Sequence, residues 1–228
     1  MLENLKKEVF KANQLLQKYN LVTFTWGNAS GFNKETGLIA IKPSGVEYSK
    51  MCADDMVIID LNCNIIEGKM RPSSDAPTHT EIYKTFPETG GIVHTHSKWA
   101  TVYAQAKRAI KAYGTTHADY FHGNIPVTRD MTEQEIKTEY EKNTGKVIIE
   151  TLNKTYCPAV LVSSHAPFTF GKTPVDAAEI SAVLETVAEM AFLTELLAGA
   201  SSFKAMDNIL LNKHYLRKHG ENAYYGQV

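Results

Sequence analysis

The segment Gly-Gly-Ile-Val-His-Thr-His at positions 90–96 places two histidines one residue apart, directly after an apolar pair. Ile92 and Val93 are typical of the end of a short buried strand. Because side chains alternate along a strand, His94 and His96 are predicted to face the same side. Two imidazoles on one side can chelate a divalent metal ion from a rigid support. Considered alone, the pair fits two ordinary core or surface histidines equally well.

A third histidine also follows a predicted strand. The β-rich run Ala159–Ser163 is followed by Ser164 and His165. Together with His94 and His96 it offers three neutral nitrogen ligands, and Asp75 can add a carboxylate. Such a set leaves one or two positions open, as in catalytic metal sites that polarise a carbonyl and stabilise an oxyanion. Spacing alone does not choose between carbon–carbon bond cleavage and hydrolysis.

Three places in the sequence are suited to hold an anion. Gly27-Asn28 forms a turn that exposes backbone N–H groups, and Lys42-Pro43-Ser44-Gly45 combines a turn with a cation and a hydroxyl. Ser73 and Ser74 precede a helix-start signal, where free N–H groups carry partial positive charge. The two serines therefore either cap that helix or bind an anion there.

Composition bounds the class of protein. With 228 residues, 43% of them hydrophobic, the chain can form one domain over residues 1–228 with a sizeable core. The formal charge of −1 gives no global attraction to nucleic acid or to an anionic membrane. Three cysteines without a Cys-x-x-Cys spacing argue against a disulfide framework and favour the reducing cytoplasm. Neither a signal peptide nor a membrane span is predicted.

Helical and β-rich segments are mixed without strict alternation. This order predicts a three-layer α/β/α sandwich around a largely antiparallel sheet. Thr144–Leu152 fits either a helix or a strand. The predicted helices cover Leu2–Leu16, Ala76–Phe86, Trp99–Ala106 after a Ser97 cap, Thr132–Lys142, Val175–Leu197 and Phe203–Lys218. The predicted strands cover Val22–Trp26, Leu38–Ile41, Met56–Asp60, Ile65–Ile66 and Ala159–Ser163, besides the strand before the histidine pair.

Ordered blocks along the chain match a known family from the first helix to the terminal Tyr-Tyr-Gly-Gln. They are Leu21–Thr23, Thr25–Asn28, Ile41–Val46, Pro72–Asp75, Gly90–Ser97, Gly114–Phe121, His165, Pro167–Phe168 and Lys213–Gly220. In these blocks the chain resembles the class II aldolase superfamily of sugar-phosphate enzymes, and within it the L-ribulose-5-phosphate 4-epimerases. So many ordered matches are hard to attribute to chance, and the resemblance implies the same three-layer fold.

The resemblance also implies the composition of the site. Asp75, His94, His96 and His165 are expected to bind zinc or a similar divalent ion, one per subunit. The family's aldolase branches typically have a glutamate at the position of Asp75, so the shorter aspartate favours the epimerases. The implied phosphate site consists of Gly27, Asn28, Ser44, Gly45, Ser73 and Ser74, with Lys42 as a weaker candidate.

The implied reaction inverts C4 of L-ribulose 5-phosphate and gives D-xylulose 5-phosphate. The C3–C4 bond breaks to an enediolate and glycolaldehyde phosphate, the aldehyde presents its other face, and the bond re-forms. Asp119 and Tyr225 are the implied proton-handling groups, and His214 is a weaker candidate for the same wall. Because these residues are expected to come from a neighbouring subunit, the resemblance implies a homo-oligomer, a tetramer, with active sites at subunit interfaces.

Two other functions remain open from the sequence. A class II sugar-phosphate aldolase would release its two fragments instead of rejoining them. A noncatalytic interaction module, as in the adducin head domains, would be expected to lack metal ligands. The expected role is in pentose catabolism, and the sequence does not separate an arabinose route from an ascorbate-derived one.

Overall fold

The computed structural model describes residues 2–155, 157–199 and 204–225. Within these residues seven strands form one sheet in the order β4-β3-β2-β1-β5-β7-β6, and every neighbouring pair is antiparallel. The strands are β1 (Asn28–Asn33), β2 (Leu38–Ile41), β3 (Val57–Asp60), β4 (Ile65–Glu67), β5 (Gly91–His94), β6 (Ala159–Leu161) and β7 (Pro167–Gly171). The histidine-bearing strand β5 therefore lies inside the sheet, between β1 and β7.

Helices cover both faces of this sheet. The α-helices of the described residues are α1 (Leu2–Lys18), α2 (Ala76–Thr85), α3 (Lys98–Gln105), α4 (Thr115–Ala118), α5 (Glu133–Lys137), α6 (Tyr140–Leu152), α7 (Pro174–Ala198) and α8 (Asn208–His219). Ala40 of β2 packs in the cluster with α1 and α7, whereas Ile39 and Ile41 pack with α2 and α6. The period-two alternation of buried side chains thus produces a core on each face, and the predicted three-layer sandwich is confirmed.

A row of glycines across three strands lets α7 begin directly on the sheet. Gly91 of β5 is paired with Gly31 of β1 on one side and with Gly171 of β7 on the other. A Cβ atom on Gly91 would lie 2.4 Å from the carbonyl oxygen of Thr173, and one on Gly31 would lie 2.7 Å from Cγ of Pro174. Gly91, the second glycine of the histidine segment, is therefore explained by close packing rather than by a turn.

The prediction of a strand over Val22–Trp26 is wrong. This segment contains a turn in which Phe24 has a φ of +53°, and strand pairing begins only at Asn28. The run has the composition of a strand, but a positive φ at a bulky residue is incompatible with extended pairing.

Other differences concern element boundaries. The helix predicted to end near Lys142 is two helices, because α5 ends at Lys137 and α6 begins at Tyr140. The ambiguous segment Thr144–Leu152 is part of α6, and β7 was not predicted. Phe203, the predicted start of the last helix, and the terminal Gly226-Gln227 lie outside the described residues. No helix of the described chain combines the length and the apolar character needed to cross a bilayer.

Candidate active site

Three histidines from two places in the sheet converge. His94 is the last residue of β5, His96 follows two residues later, and His165 lies in the turn between β6 and β7. One nitrogen from each ring lies within 4.8 Å of the others. The left-handed φ of +59° at Ser164 belongs to the tight turn that presents His165. A positive φ in a residue other than glycine is uncommon, and it often occurs at functional sites.

The arrangement of these nitrogens fits a metal ion. Nε2 of His94 lies 3.2 Å from Nε2 of His96, and two ligands of a tetrahedral zinc ion, each about 2.0–2.1 Å from it, are separated by about 3.3 Å. Nδ1 of His94 lies 3.0 Å from the carbonyl oxygen of Pro167. A carbonyl only accepts, so Nδ1 carries the hydrogen and Nε2 is left with its lone pair for a metal.

The charge state of the histidines also fits metal binding. Burial lowers the pKa of His94 and of His96, and it lowers the pKa of His165 to about 4. All three rings are therefore neutral at pH 7, which is the form that binds a metal. The ring of Phe168 stacks on His94 with a centroid distance of 4.2 Å and forms an apolar wall behind it.

Asp75 lies beside the histidines but outside the group that they form. It occupies the N-cap position of α2, and its Oδ2 accepts a hydrogen bond of 2.7 Å from Nδ2 of Asn28. Burial raises the pKa of Asp75, but His94, His79 and the Asn28 hydrogen bond outweigh burial, and the net pKa is below its ordinary value. Asp75 is therefore a carboxylate at pH 7 on the wall of the histidine cavity.

The cavity that contains the histidines has a volume of about 560 Å³ and is also lined by every predicted phosphate-binding residue. Those residues are Gly27, Asn28, Ser44, Gly45, Ser73 and Ser74, with Lys42 beside them. Gly27 and Gly45 have φ values of +74° and +69°, so each occupies a left-handed turn that suits glycine. Backbone bonds from Ser44 to Arg71 and from Ser73 to Lys42 hold the second and third segments together.

Lys42 is more than a surface cation. Its side chain is 1% exposed, and Nζ donates to the carbonyl oxygens of Val46 and Pro43 at 3.0 and 3.3 Å. Burial lowers the pKa of Lys42 to about 8. Its hydrogen bonds support the loop that carries Ser44 and Gly45. Its amino group loses its positive charge near pH 8, within the physiologically accessible pH range.

Two residues of this cavity were missed in the sequence. Tyr140 and Glu141 enter it from the start of α6, and the Tyr140 ring lies 6.5 Å from the His165 ring. Thr78 fixes the start of α6, because its hydroxyl donates to the carbonyl oxygen of Glu141 at 2.6 Å. The N-cap residue Glu139 makes no side-chain capping bond, so the usual signal of a helix start is missing.

Asp119, Tyr225 and His214 form a separate cluster around Arg217, and none of them lines the histidine cavity. The carboxylate of Asp119 accepts bonds from Arg217 at 2.9 and 3.2 Å and lies 3.1 Å from Nδ1 of His214. Burial raises the pKa of Asp119, but the bonds to Arg217 and His214 outweigh it and lower the net value. The Tyr225 ring lies 4.6 Å from the Arg217 guanidinium and is 55% exposed.

Comparison with known proteins identifies the family. The pattern described as Class II Aldolase and Adducin N-terminal domain matches residues 7–192, which is most of the chain. The chain belongs to this family. Its fold is thus that of a class II aldolase-type domain.

Solved structures share this fold. An L-fuculose 1-phosphate aldolase is 25% identical, with a TM-score of 0.78, and the match covers 92% of this chain and 94% of that one. An L-fuculose 1-phosphate aldolase from Glaciozyma antarctica PI12 is 18% identical, with a TM-score of 0.76 and coverage of 93% and 80%. A sugar-phosphate aldolase from Thermotoga maritima is 20% identical, with a TM-score of 0.68 and coverage of 87% and 97%.

Proposed function

We propose that this protein is a metal-dependent L-ribulose-5-phosphate 4-epimerase that forms D-xylulose 5-phosphate in pentose catabolism. The observation that carries the proposal is the single cavity that combines three converging histidines, the Asp75 carboxylate and the candidate phosphate-binding turns. A phosphorylated sugar has the two features that such a cavity can bind, an anionic end and a carbonyl with neighbouring hydroxyls. The names of the similar solved structures, which are sugar-phosphate aldolases, support this substrate class.

In this function His94, His96 and His165 would hold a divalent ion, most suitably zinc. Asp75 would add its carboxylate to the ligands of this ion. When bound, such an ion polarises the C2 carbonyl and stabilises negative charge on the enediolate oxygens. The hydrogen bond from Asn28 fixes the Asp75 carboxylate in the wall of the cavity that the histidines also line. The burial that keeps the three rings neutral keeps them available as ligands.

The phosphate is proposed to bind at the glycine turns and at the start of α2. Backbone N–H groups at Gly27 and Gly45, together with the hydroxyls of Ser44 and Ser73, supply donors for phosphate oxygens. Binding this end fixes the position of the C2 carbonyl relative to the histidines. It also retains glycolaldehyde phosphate after the bond has broken, and this retention separates an epimerase from an enzyme that releases its fragments.

Bond cleavage requires a base that removes the C4 hydroxyl proton while the C3–C4 electron pair passes to C3. Re-addition needs an acid that returns a proton to the new C4 oxygen on the other face. Asp119 and Tyr225 are proposed for these two tasks. Neither residue lines the cavity of its own chain, so the proposal requires that a neighbouring subunit of a homotetramer supplies them.

The second candidate is a sugar-phosphate aldolase. The observation that favours it is the 25% identity to an L-fuculose 1-phosphate aldolase over nearly the whole chain. The aspartate at position 75 opposes it, because the resemblance associates a glutamate there with the aldolase branches. A carboxylate one methylene shorter reaches less far toward a substrate in the cavity.

Product analysis separates the two candidates. The zinc-loaded protein is incubated with L-ribulose 5-phosphate, and D-xylulose 5-phosphate and free glycolaldehyde phosphate are measured in parallel. The epimerase proposal predicts D-xylulose 5-phosphate as the dominant product. Dominant release of glycolaldehyde phosphate would replace the proposal with the aldolase function.

A further inference from the structure

His96 occupies a short turn whose geometry depends on where α3 begins. β5 ends at His94 and α3 starts at Lys98, so Thr95, His96 and Ser97 connect them. One residue, Ser97, thus separates His96 from the start of α3. A displacement of the first turn of α3 would move its ring relative to the other two.

The usual helix cap is missing from this turn. Ser97 stands at the N-cap position, but its side chain makes no capping bond, and within the described residues its buried Oγ has no hydrogen-bonding partner. The first N–H groups of a helix require acceptors, because no carbonyl precedes them in the helix. Ser97 therefore occupies the predicted N-cap position, but its side chain does not cap α3, and another residue must supply the acceptors.

Glu185 of α7 supplies them. Its Oε1 accepts from the backbone N–H of Trp99 at 2.8 Å, and its Oε2 accepts from that of Ala100 at 3.0 Å. Both carboxylate oxygens are used on adjacent donors, at a helix end whose dipole favours negative charge. The contact joins residues that are 86 and 85 positions apart in the chain.

The support behind Glu185 is well packed. Leu184 and Ala188 beside it on α7 are fully buried, and Ala100 on the α3 side is also fully buried. The ring of Trp99 lies 5.4 Å from that of Phe192, one further contact between α3 and α7. α7 begins on the glycine row of β1, β5 and β7. Through its bonds to Trp99 and Ala100, Glu185 therefore links the segment that contains His96 to a helix that packs on β5 and β7.

We infer that Glu185 is a positioning residue of the metal site, which holds His96 in its ligand geometry by fixing the first turn of α3. This inference rests on the proposed metal-binding role of the three histidines. Glu185 does not line the cavity, so it has no direct part in the chemistry. Its carboxylate acts on the backbone N–H groups of Trp99 and Ala100 at the start of α3.

Zinc binding tests the inference without reference to turnover. The Glu185→Gln variant keeps the shape of the side chain, but its amide NH₂ faces one backbone N–H that the carboxylate oxygen had bonded. Its zinc dissociation constant, measured by competition with a chelating dye, is expected to rise at least tenfold, the range found for groups that orient metal ligands. Glu189→Gln, one turn later on the same helix, is the matched control and is expected to keep the wild-type value.

A double variant distinguishes positioning from general stabilisation. In a His96→Ala background, Glu185→Gln is expected to leave zinc affinity unchanged, because the ligand through which it acts is gone. An unchanged zinc affinity of Glu185→Gln alone, with a lowered melting temperature, would overturn the inference and leave the proposed function intact. An equal loss of affinity in both backgrounds would also overturn it. Failure of the wild-type protein to bind zinc would overturn the proposed function and this inference together.

Discussion

Gly27→Ala is expected to displace the metal ligand His94 by a steric contact with its backbone. Gly27 precedes β1 with a φ of +74°, in the left-handed region that side chains with a Cβ disfavour. An added Cβ would lie 2.9 Å from the carbonyl oxygen of His94 and 3.0 Å from Cγ1 of Val22. Both distances are shorter than ordinary van der Waals contact, so the end of β5 must move away from the turn.

The expected cost has two parts. Placing alanine in the left-handed region costs about 1–2 kcal/mol, and forcing an extra carbon into a packed site typically costs about 1–3 kcal/mol more. The sum is a loss of about 2–5 kcal/mol in the free energy of unfolding. Relief of the contact displaces His94, so zinc affinity is expected to fall as well.

Gly37→Ala is the matched control for this prediction. Gly37 has a φ of +68° in the turn between β1 and β2, and no atom lies within 4 Å of its added Cβ. It therefore carries the backbone cost of about 1–2 kcal/mol without the steric one, and its zinc affinity is expected to be that of the wild type. Urea unfolding at one fixed protein concentration and dye competition for zinc measure the two effects. Equal destabilisation by the two variants, with equal zinc affinities, would show that the contact between residue 27 and the end of β5 has no effect on the metal site.

Three further predictions concern the chemistry. Because burial lowers the pKa of Lys42 to about 8, its positive charge is present below pH 8 and lost above it, so the KM for L-ribulose 5-phosphate is expected to rise between pH 7.5 and about 9. The KM of a Lys42→Met variant should not change over this pH range. If the KM of the variant rose as much as that of the wild type, Lys42 would be excluded as the cause. His94→Ala is expected to lose zinc and activity together, which metal analysis and the epimerase assay determine; a zinc-free variant with full activity would contradict the metal requirement. Tyr225→Phe is expected to keep its zinc and lose turnover, and unchanged kcat in this variant would exclude the proposed proton transfer.

The elements that carry the histidines could be predicted because their signals are local. Ile92-Val93 is a short β-rich run followed directly by His94, and Ala159–Leu161 is another, followed within four residues by His165 in a turn. Their convergence is confirmed by the structure, where β7 lies between β5 and β6 and brings the two chain segments together. The three-layer arrangement could likewise be predicted, from helical and β-rich segments that follow one another without strict alternation.

Features that depend on distant contacts could not be predicted in the same way. The β-rich run at Val22–Trp26 lacks a pairing partner and turns at Phe24, and β7 begins with a proline that weakens its strand signal. Glu185 reaches the start of α3 from 86 positions away, so no local capping pattern reveals it. Tyr140 enters the cavity because α6 packs on α2. The residues around Tyr140 contain no local pattern that predicts this tertiary contact.

The most direct test of the central proposal is a coupled assay for D-xylulose 5-phosphate formed from L-ribulose 5-phosphate by the purified wild-type protein. One sample is untreated, one is stripped with a chelator that is then removed, and one is stripped and reloaded with zinc. Product is expected in the first sample, little product in the second, and recovered product formation in the third. Full product formation by the stripped protein, or none by the zinc-loaded protein, would contradict the proposal.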